Sequence, residues 1–268
     1  MKRCEIAVYG LGVMGSSLAK NMISHGFSVA AYSKNEEERI RFCADTDNYQ
    51  ICDCVEEMLG ALESPRCIFL MITAGDAVDQ VLKELVPLLS PGDVVLDGGN
   101  SYYKDTQRRC AWCDSQGICF VGVGVSGGEK GALTGPSMMA GGSLEGWEKT
   151  KHILQTIAAC TGDIHCCEYI GPGGAGHYVK MVHNGIEYAI LQLLAETYGF
   201  LRNTLRLSLE EIRECFQNWQ KGRLDSYLIE ISIRVLERQD DDGNPLLDKI
   251  LDVAEQKGTG KWTMLEGV

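Results

Sequence analysis

Four side chains able to move a proton or hold a polar ligand stand close together: Lys180, His183, Asn184 and Glu187. Their spacing, i, i+3, i+4 and i+7, is one stripe of a 3.6-residue helix, and Gly176 to Glu196 reads as a single helix. Val179, Val182, Ile186, Ile190, Leu193 and Leu194 take much of the remaining surface. The pattern is an apolar helix with a polar stripe, the reverse of a solvent-facing helix. A buried lysine and a buried glutamate are costly unless paired or shifted in pKa, so a chain that keeps both on one buried face has a use for them. The competing reading is a salt-bridged, half-exposed surface stripe, because ion-pair networks mimic active sites.

The elements ahead of this helix alternate between strand and helix patterns. Glu5 to Tyr9 has β character and stops at Gly10-Leu11-Gly12-Val13-Met14-Gly15. A helical pattern follows through Met22, and Phe27 to Tyr32 is the next strand. This is GxGxxG at a strand-to-helix turn: Gly10 permits the turn, Gly12 lets a pyrophosphate approach, and Gly15 lets helix and strand pack closely. Free N–H groups at the helix start would bind the pyrophosphate. An NAD site usually has Asp or Glu at the end of the second strand. Here Tyr32-Ser33-Lys34-Asn35 stands there, and its hydroxyl, ammonium and amide favour the 2′-phosphate of NADP over NAD. The alternative is a solvated Lys34, with Glu36 to Glu38 merely opening a helix.

Further strands are expected at Cys67–Ile72, Val94–Leu96, Ile118–Val123 and Met138–Ala140, with a helix at Ala77–Leu89. Several run into glycine-rich loops, Asp97-Gly98-Gly99-Asn100-Ser101 and Gly124-Val125-Ser126-Gly127-Gly128-Glu129 among them. Strands that end so suit a doubly wound parallel sheet, whose ligands sit beyond the carboxyl ends of its strands. Asn100, Ser126, Gly127 and Gly128 would line that crevice. From about residue 175 helices follow one another: a capping box at Ser208–Glu211 opens one to Trp219, and Asp225–Leu236 and Leu246–Glu255 are two more. The fold class is α/β, a Rossmann-type dinucleotide-binding domain over 1–174 followed by an all-α domain over 175–268.

The chain has 268 residues, enough for two domains, and a net charge of −12. That charge excludes a basic nucleic-acid footprint and does not suit a membrane surface. No apolar run is long enough to span a bilayer, and the N-terminal apolar stretch is too short for a signal peptide. The 12 cysteines lack zinc-ribbon spacing, and Cys110-Ala111-Trp112-Cys113 falls inside a helical pattern. They read as free thiols in a reducing cytoplasm, and no metal site is expected.

Together the motifs resemble the 6-phosphogluconate dehydrogenase family. The matching strings are GLGVMG at 10–15, DGGNS at 97–101, GVSGGEKGA at 124–132 and the glycine-methionine stretch at 135–142. GAGHYVKMVHNGIEY at 174–188, LDSYLIEI at 224–231 and QKGTGKW at 256–262 complete the set in the family's order. The resemblance implies oxidative decarboxylation of 6-phosphogluconate to ribulose 5-phosphate with reduction of NADP. Lys180 would be the base at the substrate's 3-hydroxyl, and Glu187 the acid that protonates C1 of the enediol. Asn100, Ser126, Gly128, His183 and Asn184 would hold the sugar acid; Tyr188, Lys257 and Thr259 its phosphate. Gly10, Gly12, Val13, Met14, Gly15 and Asn100 would line the cofactor, and Ser33, Lys34 and Asn35 its 2′-phosphate. The family is homodimeric.

Burial would lower the pKa of a lysine from about 10.4 toward a range where it can accept a proton. Glu187 lies roughly 10 Å further along the helix by rise, which suits work at two ends of a six-carbon acid. Lys34 replaces the usual arginine and loses its planar fork, so weaker NADP selectivity is expected. Thr73 stands where the family usually has lysine. Family members continue well past QKGTGKW, so an incomplete helical domain and phosphate pocket and an exposed apolar surface are expected. Two readings stay beside the leading one: a related β-hydroxyacid dehydrogenase acting on another sugar acid, and a non-catalytic NADP-binding fragment.

Overall fold

The computed structural model describes residues 3–42, 48–251, 253 and 259–266. In chain order the first elements are β1 (Ile6–Tyr9), α1 (Val13–Ser24), β2 (Val29–Tyr32), α2 (Glu36–Arg41), β3 (Tyr49–Ile51) and α3 (Val55–Ala61). Next come β4 (Cys67–Leu70), α4 (Asp76–Leu85), β5 (Val94–Asp97), α5 (Tyr103–Asp114), β6 (Cys119–Ser126) and α6 (Gly128–Thr134). Then follow β7 (Ser137–Gly142), α7 (Leu144–Ile157), the short β8 (Cys160–Thr161) and β9 (Ile164–His165), and β10 (Cys167–Gly171). The helical part comprises α8 (Ala175–Gly199), α9 (Leu209–Gln220), α10 (Tyr227–Glu237) and α11 (Thr259–Glu266).

The chain divides into two compact units, 1–183 with 265–268, and 184–264. The first is built on an eight-stranded sheet of order β10-β7-β6-β5-β4-β1-β2-β3. Its strands are short apolar runs because both faces are covered: Ile6, Val8 and Phe69 belong to one core, Ala7, Tyr9, Ile68 and Leu70 to the other. Burying both faces of β1 and β4 completely leaves no position for a polar residue, hence the near-continuous hydrophobic strings.

The chain runs from β1 outward to β3 and then crosses back to β4 on the other side of β1. The reversal makes the ends of β1 and β4 the topological switch point, where open α/β sheets take their ligands. The sheet departs from the all-parallel expectation at one pair, β6 and β7, which run antiparallel from Val121↔Gly142 to Ser126↔Ser137. The intervening chain holds only the short helix α6, and a parallel return needs a dozen residues or more. The same pairing extends β6 through Gly124, Val125 and Ser126, which the glycine content had suggested as loop.

In the second unit α9 and α10 pack through Ile212, Phe216, Ile229 and Ile233, with Leu201 from the π-helical turn Phe200–Thr204. The expected capping box is present: Ser208 and Glu211 each bond the other's backbone N–H. The helix expected over Leu246–Glu255 is not there as drawn. A single 3-10 turn covers Leu246–Lys249, Ile250 to Val253 is irregular where described, and 254 and 255 lie outside the described residues. Among the described residues Ile250 and Leu251 are exposed, and apolar side chains left unburied do not supply the packing that sustains most protein helices.

Candidate functional site

The glycine turn after β1 is as tight as its sequence implies. Gly10 has φ +104° and donates to Tyr32 O at 2.7 Å, tying the end of β1 to the end of β2. A Cβ on Gly15 would fall 1.9 Å from Gly10 O, so helix and turn touch through backbone alone. Gly12 is the N-cap of α1 and supplies no side-chain acceptor. A Cβ there would find its first neighbour, Glu38 Oε1, at 3.7 Å. The first-turn N–H groups of α1 therefore keep no side-chain cap, which fits a dinucleotide pyrophosphate. Val13 is exposed and Met14 half-buried beside this turn, while Gly15 is buried in it.

The three groups after β2 all have protein partners. Ser33 Oγ donates to Glu38 Oε2 at 2.6 Å. Asn35 Oδ1 caps α2 by accepting from Glu37 N at 3.0 Å. Lys34 Nζ donates to Glu84 Oε2 at 2.8 Å, and that bond is the main reason its pKa is raised. Glu36, Glu37 and Glu38 do open α2, where their charge suits the helix N-terminus.

Asn100 follows β5 in a loop pinned by buried charge. Asp97 accepts from Ser101 Oγ at 2.7 Å and from Gly99 N at 3.1 Å. Arg109 of α5, 0% exposed, lies 3.6 Å from Asp97 and donates to Asp79 through Nε and Nη2 at 3.0 and 3.1 Å, and to Gly75 O at 2.8 Å. Arg109 first, and then Arg108, hold the Asp79 carboxyl far below the usual range. One guanidinium thus ties the loops after β4 and β5, leaving Asn100 half-buried at the surface of the knot.

The start of α8 lies directly on the sheet. A Cβ on Gly124 would fall 2.4 Å from Lys180 Cβ; one on Gly122 would meet Thr106 at 2.6 Å and His177 Nδ1 at 2.8 Å. Gly141 and Gly176 meet in the same way, a Cβ on Gly141 falling 2.3 Å from Gly176 N. Gly122 and Gly124 are two residues apart and share one face of β6, so that face is a trough the width of a helix. Lys180, 7% exposed, has its side-chain base in that trough. His177 is buried beside it, with Nδ1 2.7 Å from Thr106 Oγ1, and burial lowers its pKa. At the end of β6, Ser126 Oγ lies 2.9 Å from His183 Nε2. Gly127 and Gly128 follow with φ +130° and +60°, conformations that favour glycine.

The structure therefore brings together Lys180, Gly124, Ser126 and His183. His177, Thr106, Asp97 and Arg109 were not among the residues singled out from the sequence. The alternation Gly122-Val-Gly124-Val was the one available signal, since glycine at every second strand position marks a face that something approaches closely.

In the second unit Asn184 is buried, Glu187 is half-buried rather than fully enclosed, and Tyr188 is exposed. Ile186, Ile190, Leu191 and Leu193 of α8 are also exposed. A Cβ on Gly185 would fall 2.4 Å from Thr263 Cγ2, so α11 packs on α8 at that glycine. Lys257 and the Thr259 side chain lie outside the described residues. Among the described residues no three His, Cys, Asp or Glu side chains are grouped to hold a metal, and no helix is long and apolar enough to cross a membrane. The 11 described cysteines are free thiols, Cys110 and Cys113 of α5 among them.

Comparison with known proteins bears on both parts of the chain. Residues 5–171 match the NAD binding domain of 6-phosphogluconate dehydrogenase, and residues 176–268 match that enzyme's C-terminal domain. Two proteins of Bacillus subtilis are similar over 98% of this chain. The NAD(+)-dependent decarboxylating 6-phosphogluconate dehydrogenase is 52% identical, and the NADP(+)-dependent one is 50% identical. The chain spans 57% of the length of each. The 6-phosphogluconate dehydrogenase of Plasmodium falciparum, solved in apo form, with NADP+ and with 6-phosphogluconate, superposes with a TM-score of 0.92 at 40% identity. That match covers 98% of this chain and 58% of the other.

Proposed function

We propose that this chain, which belongs to the 6-phosphogluconate dehydrogenase family, carries the dinucleotide site and the proton-transfer helix for oxidative decarboxylation of 6-phosphogluconate to ribulose 5-phosphate and carbon dioxide. The observation that carries the proposal is Lys180. A lysine 7% exposed, with its Cβ against Gly124 and the Ser126–His183 pair close by along the same strand and helix, is costly for stability alone.

A dinucleotide held at the glycine turn of 10–15 would supply the hydride acceptor for C3 of the substrate. Lys180 takes the proton of the 3-hydroxyl, so C3 becomes a ketone. As an ammonium it then stabilises the developing oxyanion on O3 while the C1–C2 bond breaks and carbon dioxide leaves, which requires no metal. Glu187, on the same helix, supplies the proton that C1 of the resulting enediol needs. Ser126, Gly127, Gly128, Asn100, His183 and Asn184 hold the sugar acid; Tyr188, Lys257 and Thr259 hold its phosphate. Gly10, Gly12, Val13, Met14 and Gly15 receive the dinucleotide. Ser33, Lys34 and Asn35, by their chemistry, support NADP+ as the form bound. A division at 174/175 between dinucleotide-binding and helical parts is supported by two family matches that meet between 171 and 176. Free thiols at every described cysteine support a cytoplasmic setting. Dimerisation, as in the resembled family, completes the proposal.

The test is reduced-cofactor formation by the purified 268-residue chain with 6-phosphogluconate, with carbon dioxide release followed in parallel. Both products at a saturable rate, abolished in Lys180→Ala, are expected. Dinucleotide binding without either product would overturn the catalytic reading in favour of a binding module.

A further inference from the structure

At the end of β2 the side chains of Ser33 and Lys34 each donate to a carboxylate, and Arg39 Nη1 donates to Ser33 O. Glu38 reaches back from α2 so that one oxygen, Oε2, accepts from Ser33 Oγ at 2.6 Å. The other, Oε1, lies 3.7 Å from where a Cβ on Gly12 would stand. The carboxylate thus bridges the glycine turn and the end of β2. It lines a cavity of about 270 Å³ with Gly12, Val13, Lys20 and Arg41. An acid in this place is what holds an unphosphorylated adenosine ribose in Rossmann sites, although here it comes from six residues beyond Tyr32 rather than from the strand end itself.

Two carboxylates occupy the donors of Lys34 and Ser33, and they differ in kind. The Lys34–Glu84 pair has side chains 59% and 39% exposed, and a surface pair of this sort is readily exchanged for another anion. Glu38 is less exposed, and it takes the one proton that Ser33 Oγ can donate. A phosphate oxygen on Ser33 Oγ would stand within about 5 Å of that carboxylate, two hydrogen-bond lengths, well inside a Debye length of ~8 Å. A ribose hydroxyl there would instead donate to it. Arg41 does not neutralise this group, since its Nε donates to Glu37 O at 3.1 Å and its guanidinium faces the Glu37 carboxylate at 4.0 Å.

We infer that Glu38 is the specificity-determining residue for the cofactor: it accepts from the adenosine 2′-hydroxyl, disfavours a 2′-phosphate, and so lets NAD+ compete with NADP+. The inference rests on the dinucleotide site proposed above but not on turnover.

The experiment is calorimetric titration of the full chain with adenosine 5′-monophosphate and with adenosine 2′,5′-bisphosphate, two fragments that differ only in the 2′-phosphate and cannot react. In Glu38→Gln the ratio of the two affinities is expected to move toward the bisphosphate by about tenfold, ~1.4 kcal/mol. Glu38→Ala, which adds no amide, moves it the same way. Glu37→Gln, which removes the same charge from the neighbouring exposed position, leaves it unchanged. A shift below about threefold in both Glu38 variants, or an equal shift in Glu37→Gln, overturns the role of Glu38 while leaving the dinucleotide site standing. If the unmodified chain binds neither nucleotide, the dinucleotide reading falls with it.

Discussion

His177 Nδ1 lies 2.7 Å from Thr106 Oγ1 in a pocket that only glycine at position 122 leaves open. Both side chains are buried, and burial holds the histidine pKa below its ordinary value of 6.5. The unfolded chain therefore binds a proton that the folded chain refuses. Stability conferred by the neutral ring is intact above about pH 6.5 and declines as pH falls below it toward the folded pKa. Urea unfolding at pH 7.5 and 5.5 should show a loss that shrinks in His177→Gln. Thr106→Val, which keeps the shape and removes the partner, should cost about 1–3 kcal/mol at pH 7.5.

The two glycines at the pyrophosphate turn should respond differently to the same change. Gly15→Ala drives a methyl to within 1.9 Å of Gly10 O, so a loss of stability of roughly 1–3 kcal/mol or more is expected along with loss of nucleotide binding. Gly12→Ala meets nothing closer than 3.7 Å and should leave the melting temperature within a few degrees. Its nucleotide affinity should still fall, because the methyl stands where the pyrophosphate approaches. Thermal melts with and without NADP+ separate the two effects.

Arg109 should be the most costly surface-type residue to remove. Arg109→Met leaves Asp97, fully buried, without its cation, and about 3–5 kcal/mol is expected from breaking such a pair on one side. The Asp79 carboxyl is held below its ordinary range, so its share of stability is present above about pH 3.9 and lost as pH falls further. Acid unfolding followed by circular dichroism should begin at higher pH in the variant.

Thiol reactivity should split the cysteines. Burial pushes Cys52, Cys67, Cys110, Cys113 and Cys167 up to about 12, so they carry almost no thiolate at pH 7. Cys54 and Cys160 are exposed and should alkylate first. Peptide mapping after brief iodoacetamide treatment checks this, and rapid labelling at Cys67 would contradict the buried sheet.

What could be read in advance was whatever has a local period or a local turn. The stripe of Lys180, His183, Asn184 and Glu187 fixed α8, and the glycines at 10, 12 and 15 fixed the first turn. The pairing of Thr106 with His177 joins residues 71 apart, and Asp79 with Arg109 joins residues 30 apart. Such partners leave no periodic trace. Arg109 is in addition a residue type that is almost never buried, so composition argued against it. That Ser33 directly follows β2 could be read from the chain, but its attachment to Glu38 depends on how α2 leaves the strand. The antiparallel β7 could have been anticipated from the short connection after Ser126, whereas the 3-10 turn at Leu246–Lys249 and the exposure of Ile250 and Leu251 depend on packing, which periodicity does not report.

The glycine-lined face of β6 carries one more consequence. Ordinary packing absorbs a displacement by exchanging side-chain rotamers, but Gly122, Gly124, Gly141 and Gly176 have none to exchange. The first turns of α8 and the sheet beneath them therefore share a stiff main-chain weld with little configurational freedom. Warming the protein can loosen the lysine at 180 only through the torsions of its own side chain, because its anchor has nothing left to rearrange.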